Sequence, residues 1–258
     1  MTMKAKLRTA FTLVEMLVVV AIIVILMTLL VPGMSAARRR AGQVVCLTRV
    51  RAWGVGLQGY LADYGGVYPN RRSVLAYWLG KAGQGGYGAD GLQADDRPLN
   101  EYVGGPYAPT AEVPEAQCPL DKTTRVYLGT PRSMYEEEGA SYQANIPLSS
   151  PGGRANLSYG GLVKNEQVTQ YIDGVSVTMT KGRRTSEVAD GSRMVTIAEV
   201  GAYVASWWPA STWISGGQAY NWHDLNSWNI SFADGGARSV RVIPQSFTNE
   251  LYSFHYQY

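Results

Sequence analysis

Residues Phe11 to Val31 read FTLVEMLVVVAIIVILMTLLV, twenty-one residues interrupted only by Glu15 and the threonines Thr12 and Thr28. Wound as an α-helix at about 1.5 Å per residue, the run is about 30 Å long, the thickness of a bilayer's hydrocarbon core. Ahead of it lies a short stretch with Lys4, Lys6 and Arg8; behind it come Pro32, Gly33 and then Arg38, Arg39 and Arg40. A secretory signal peptide is the rival reading, but its apolar part runs about 7 to 15 residues and ends in a small-residue cleavage site. This run is longer and continues past a proline into a basic triplet, so it is expected to stay as an anchor. Basic residues on both sides give no orientation under the positive-inside rule.

Glu15 needs its own account, because a carboxylate in a spanning helix costs a few kcal/mol unless it reaches the interface or a partner. From position alone two readings stand open: a residue at the headgroup boundary, or one kept for a function. The residues around it bear on the choice. Lys4 and Lys6, four residues, then Phe11-Thr12-Leu13-Val14-Glu15 and an unbroken apolar run resemble the leader of type IV prepilins and type II secretion pseudopilins.

That resemblance implies a prepilin peptidase cutting between Ala10 and Phe11 and methylating the new amino terminus. Ala10 stands where the family usually has glycine. Glu15 becomes the fifth mature residue, the family's assembly position. An unpaired carboxylate in lipid is costly, so pairing with the cationic terminus of a neighbouring pilin subunit would select one axial register. The resemblance also places residues 1–10 in the cytoplasm, the helix in the inner membrane as a single pass, and the head in the periplasm.

Beyond Pro32, apolar residues recur at Leu47, Val50, Trp53, Leu57, Leu61 and Tyr64, the interval of one helix face. The spacing predicts a helix over 32–65 that continues the anchor, bent near Pro32 and ending at Gly65-Gly66. The stretch 36–69, with its basic run, Cys46 and closing Tyr68-Pro69, further resembles a pseudopilin-like family abundant in planctomycete and verrucomicrobial genomes. Gln117-Cys118-Pro119-Leu120-Asp121 resembles that family's Cys-Pro-x-Asp element. Its C-terminal element, a histidine, nine residues and Asp-Gly, is matched by His223 and Asp234-Gly235 with ten residues between.

After residue 66 the chain reads as a globular head rich in β-structure. Short β-like runs at 125–128, 175–180, 194–199, 228–233 and 238–243 are separated by turn formers, and Asp234-Gly235-Gly236 reads as a hairpin turn. Residues 80–115, dense in glycine, read as a long loop or insertion. The expected fold is therefore α+β and pilin-like: a long N-terminal helix laid on a small, mainly antiparallel sheet. With 46% apolar residues but only 17% charged, and 29 Gly, 17 Tyr and 7 Trp, the composition excludes disorder and coiled coil. The net charge of +3 equals the contribution of Lys4, Lys6 and Arg8, so charge gives no support to a nucleic-acid partner.

Candidate chemistry is sparse. Cys46 and Cys118 lack zinc-site spacing; one disulfide in an oxidising compartment and two separate thiols are both open. Gly54-Val55-Gly56-Leu57-Gln58-Gly59 matches a dinucleotide fingerprint by letters but lies within a helix with no preceding strand, so close packing against the sheet is expected instead. His223 and His255 are the only histidines, and no nucleophile elbow frames a triad; no enzymatic activity is expected. Asp90, Asp95 and Asp96 could offer oxygens to calcium but lack EF-hand spacing, and a solvated loop with no cofactor is the expectation. Asp234 reads as a turn former before a ligand, and His223 with Asp234 would stabilise the hairpin if they meet across it, a structural role favoured over metal binding or recognition. Trp207, Trp208, Trp213, Tyr220, Trp222 and Trp228 form an aromatic concentration that fits core packing. If exposed, they would suit a membrane-tethered binding module that recognises a surface polymer or secreted cargo.

Overall fold

A computed structural model describes residues 13–69, 78–84, 92–122, 125–127, 130–145, 162–172, 175–207, 222–223 and 227–254. The chain divides into two compact units, residues 1–41 and 42–258.

The first unit carries the opening turns of helix α1 (Leu13–Asp63). Its large apolar side chains from Leu13 to Val31 are exposed, from 83% at Leu13 to 43% at Ile23. It is long and apolar enough to cross a membrane, and its most apolar window is not buried at all among the described residues. The helix continues through Pro32 and Gly33, although a proline removes one main-chain hydrogen bond.

The second unit begins with the remainder of α1. Cys46, Val50, Trp53, Leu57 and Leu61 form its buried face, each three or four residues from the next. Leu47 is half-buried. Tyr64, expected on this face, is 57% exposed; its N–H still donates to the Tyr60 carbonyl at 2.9 Å, and its ring stacks on Tyr60 one turn back at 4.1 Å between ring centres. Gly65 takes φ +59° and the Gly66 N–H donates to the Leu61 carbonyl at 2.7 Å. This Schellman closure is open to glycine without a Cβ penalty.

Four strands form the main sheet, in the order β3 (Tyr142–Ala144), β6 (Val195–Glu199), β7 (Ser227–Phe232) and β8 (Ala237–Arg241). All neighbours run antiparallel, with a register irregularity between Val195 and Ile197. Two separate hairpins pair β1 (Arg125–Tyr127) with β2 (Thr130–Arg132), and β4 (Val163–Ile172) with β5 (Val175–Gly182). The described residues of the unit also include short helices α2 (Asn100–Val103), α3 (Met134–Glu138) and α4 (Val200–Trp207).

Both faces of the sheet are covered. Tyr142, Ala144 and Ile197 pack in one core with the α1 face, Trp78, Leu79 and Leu99. Trp228, Ile230, Phe232 and Val240 belong to a second core with Val200, Ala202, Tyr203 and Ala205 of α4, and with Tyr252 and Phe254 near the C-terminus. The alternation Trp228-Asn229-Ile230-Ser231-Phe232 follows from this: large apolar residues face the second core, while small or polar ones face α1. Gly54 of α1 lies against Ser231, where an added Cβ would come within 3.0 Å. The sequence had suggested only the helix-facing layer.

Residues 85–91 of the glycine-dense region 80–115 lie outside the described residues. Of its described residues, Ala94, Leu99 and Val113 are fully buried, and Asn100 holds both the N–H and C=O of Gly80 with its side chain at 2.9 and 2.7 Å. Gly56 and Gly59, expected to face the sheet, are close to Val103 and Tyr102 of α2 instead.

Candidate functional site

Two regions carry the candidate residues. In the first unit, Glu15 lies in the first turn of α1 among exposed apolar side chains. Ala10 and Phe11 lie outside the described residues.

The second region lies beneath the head's main sheet. Cys46 of α1 and Cys118 form a disulfide with Cα atoms 5.1 Å apart, across 72 residues of sequence, which resolves the choice left open above. The segment holding Cys118 is fixed from several sides. The Trp53 indole donates to the Glu115 carbonyl at 2.9 Å, and Arg49 donates to the Gln117 carbonyl. The Cys118 N–H donates to Ser141 Oγ at 2.9 Å. Three residues on, the Asp121 carboxylate accepts from the N–H groups of Met134 and Tyr135 at 3.2 and 3.0 Å and from Ser141 Oγ at 2.7 Å. The Cys-Pro-x-Asp element thus ties α1 to the start of α3: the cysteine by a covalent bond, the aspartate by satisfying helix N-terminal donors that otherwise lack intrahelical partners.

His223 Nε2 lies 3.6 Å from Cys118 Sγ and 2.6 Å from Glu199 Oε1. The side chains of His223 and Glu199 are 4% and 0% exposed. Glu199, the last residue of β6, also accepts from the Asn229 N–H at 3.1 Å and from Asn229 Nδ2 at 3.0 Å. His223 and Asp234 do not meet. Asp234 closes the β7–β8 turn instead: its Oδ1 accepts from the Gly236 N–H at 2.8 Å, with Gly235 at φ +86°. The turn consumes the aspartate locally, and the histidine meets a carboxylate from the neighbouring strand.

Burial pushes the Tyr142 phenol well above its ordinary value, with the negative charge of Glu199 adding to the effect, so this ring stays neutral beside the cluster. Sequence reasoning missed Glu199, because nothing local to residue 199 signals that β6 ends beside His223.

The remaining candidates separate. Asp90 lies outside the described residues, Asp95 is exposed, and Asp96 Oδ2 accepts from the Gln93 N–H at 3.0 Å. Of the aromatic concentration, Trp228 is 1% exposed and packs in the second core, while Trp222 is half-buried. Trp208, Trp213, Tyr220 and His255 lie outside the described residues, as does the side chain of Trp207.

Residues 6–31 match the family described as Prokaryotic N-terminal methylation motif. No curated protein and no solved structure matches the chain. The motif and the apolar helix support a subunit of the type IV pilin or pseudopilin kind, with membrane anchoring through that helix.

Proposed function

We propose that the chain is a non-enzymatic pilin-like or pseudopilin subunit, matured by prepilin peptidase between Ala10 and Phe11. In this reading the new N-terminus is methylated and α1 holds the protein in the inner membrane as a single pass, with residues 1–10 cytoplasmic before cleavage. The head stands in the periplasm, and subunits polymerise through their N-terminal helices into a pilus or type II secretion pseudopilus.

One observation carries the proposal: the methylation motif at 6–31 coincides with the part of α1 whose apolar side chains are all exposed. A surface of this kind needs lipid or other helices to cover it. Glu15 then discriminates assembly from tethering. In lipid its carboxylate is stabilised by an opposite charge, and the methylated amine of a neighbouring mature N-terminus supplies one.

The test is Glu15→Val expressed in the native host. The variant should be cleaved and remain in the inner membrane, yet be absent from filaments sheared from cells overproducing the assembly machinery. A variant recovered in filaments at the wild-type level would overturn the role given to Glu15.

A further inference from the structure

Four potential donors converge beneath the sheet: Cys46 Sγ, Cys118 Sγ, His223 Nε2 and Glu199 Oε1 all lie within 4.8 Å of one another. They come from α1, the segment before α3, the end of β6 and the segment before β7. We propose that, when the Cys46–Cys118 bond is reduced, these four side chains form a site for a zinc-class divalent cation.

The donor set identifies the class of ion. Two sulfurs, an imidazole nitrogen and a carboxylate oxygen suit a borderline-soft cation in tetrahedral geometry and disfavour calcium or magnesium, which prefer oxygen alone. Bonds of about 2.3 Å to sulfur and about 2.0 Å to nitrogen, at the tetrahedral angle, set those donors about 3.5 Å apart. Cys118 Sγ and His223 Nε2 are 3.6 Å apart. Two sulfurs on one such ion would be about 3.8 Å apart, a separation that rotation about the two Cα–Cβ bonds supplies. Glu199 must withdraw from its 2.6 Å contact with Nε2. Asn229 grips the carboxylate through two hydrogen bonds, the kind of outer contact that orients metal ligands.

The chemistry balances with a named reductant. A dithiol gives two electrons and two protons to the disulfide, forming the Cys46 and Cys118 thiols and becoming a cyclic disulfide itself. A phosphine does the same by taking the oxygen of one water to become a phosphine oxide, while the two water protons go to the sulfurs. The cation then displaces both thiol protons to solvent, and the imidazole presents Nε2 without its hydrogen. Either closure, the covalent bond or the ion, ties α1 to the segment before α3. The inference is independent of how α1 is used in assembly.

The test uses the full chain in detergent, reduced with a phosphine and titrated with cobalt(II), then zinc. The expected result is one cobalt per chain, with sulfur-to-metal absorption in the near ultraviolet and visible bands of a tetrahedral centre, both erased by one equivalent of zinc. His223→Ala should weaken cobalt binding at least tenfold while far-ultraviolet circular dichroism stays unchanged. If reduction unfolds the head, zinc should refold it. A reduced, folded chain that takes up no cobalt, an unfolded one that zinc does not rescue, or a His223→Ala variant that binds as tightly as the parent would each overturn the proposal.

Discussion

Replacing Cys46 and Cys118 together by alanine should lower the stability of the head by at least about 4 kcal/mol. The bond spans 72 residues, and a cross-link of that length removes about 15 cal/mol/K of chain entropy from the unfolded state, about 4.4 kcal/mol at 25 °C. Both sulfurs are fully buried, so their loss from a packed interior adds to this. The second compact unit runs from Gly42 to Tyr258. For a unit of that size each kcal/mol moves the melting temperature by about 2 to 4 °C, which predicts a fall of about 10 °C or more. The assay is thermal unfolding of the full chain in detergent without reductant, followed by near-ultraviolet circular dichroism on the buried tryptophans. Parent and double variant should share the same folded spectrum at low temperature. A double variant melting within 2 °C of the parent would refute the reasoning, since the bond would then restrict nothing the unfolded chain is free to do.

Gly56→Ala should destabilise the head by about 1 to 2 kcal/mol in urea: the new Cβ falls 2.6 Å from Val103 Cγ2, and overpacking outweighs the helix-propensity gain of about 1 kcal/mol. Asp121→Ala should cost about 2 to 3 kcal/mol by the same measurement, because it strips the partners of two α3 N–H groups and of buried Ser141. The Lys81 ammonium, 2.8 Å away, holds the Glu112 carboxyl below its ordinary 4.5. A depressed carboxyl stabilises the fold above its unfolded value, and that contribution fades as pH falls from about 4.5 through the lower folded value. Because the Glu112 side chain is 67% exposed, the effect is small; Glu112→Gln should lose slightly less melting temperature than the parent between about pH 6 and about pH 3, and the difference should shrink in high salt.

The long helix and the five expected β-runs were legible because each is written in local periodicity: an unbroken apolar run, intervals of three and four, and short alternating segments between turn formers. Each of those runs corresponds to a strand, shifted by a residue or two at its ends. The second core was not legible, because the apolar face of Trp228, Ile230 and Phe232 could equally have pointed at α1. Burial of Ala94, Leu99 and Val113 was hidden by composition: Asn100, a turn former by type, works there as an internal backbone clamp. The motif histidine was visible, but its partner was not. Asp234 stood nearest in the motif, yet the turn at Gly235-Gly236 engages it, and antiparallel pairing of β6 with β7 brings Glu199 to His223.

The central claim, that this is a pilin-like subunit matured at its leader, meets its most direct test in the intact mass and N-terminal sequence of the protein purified from native membranes. The account predicts a chain that begins at Phe11 and, once its Cys46–Cys118 disulfide is reduced, is heavier than the unmodified 11–258 polypeptide by the one CH2 that N-methylation adds. A chain that still begins at Met1, with no trace of the shorter form, would contradict it.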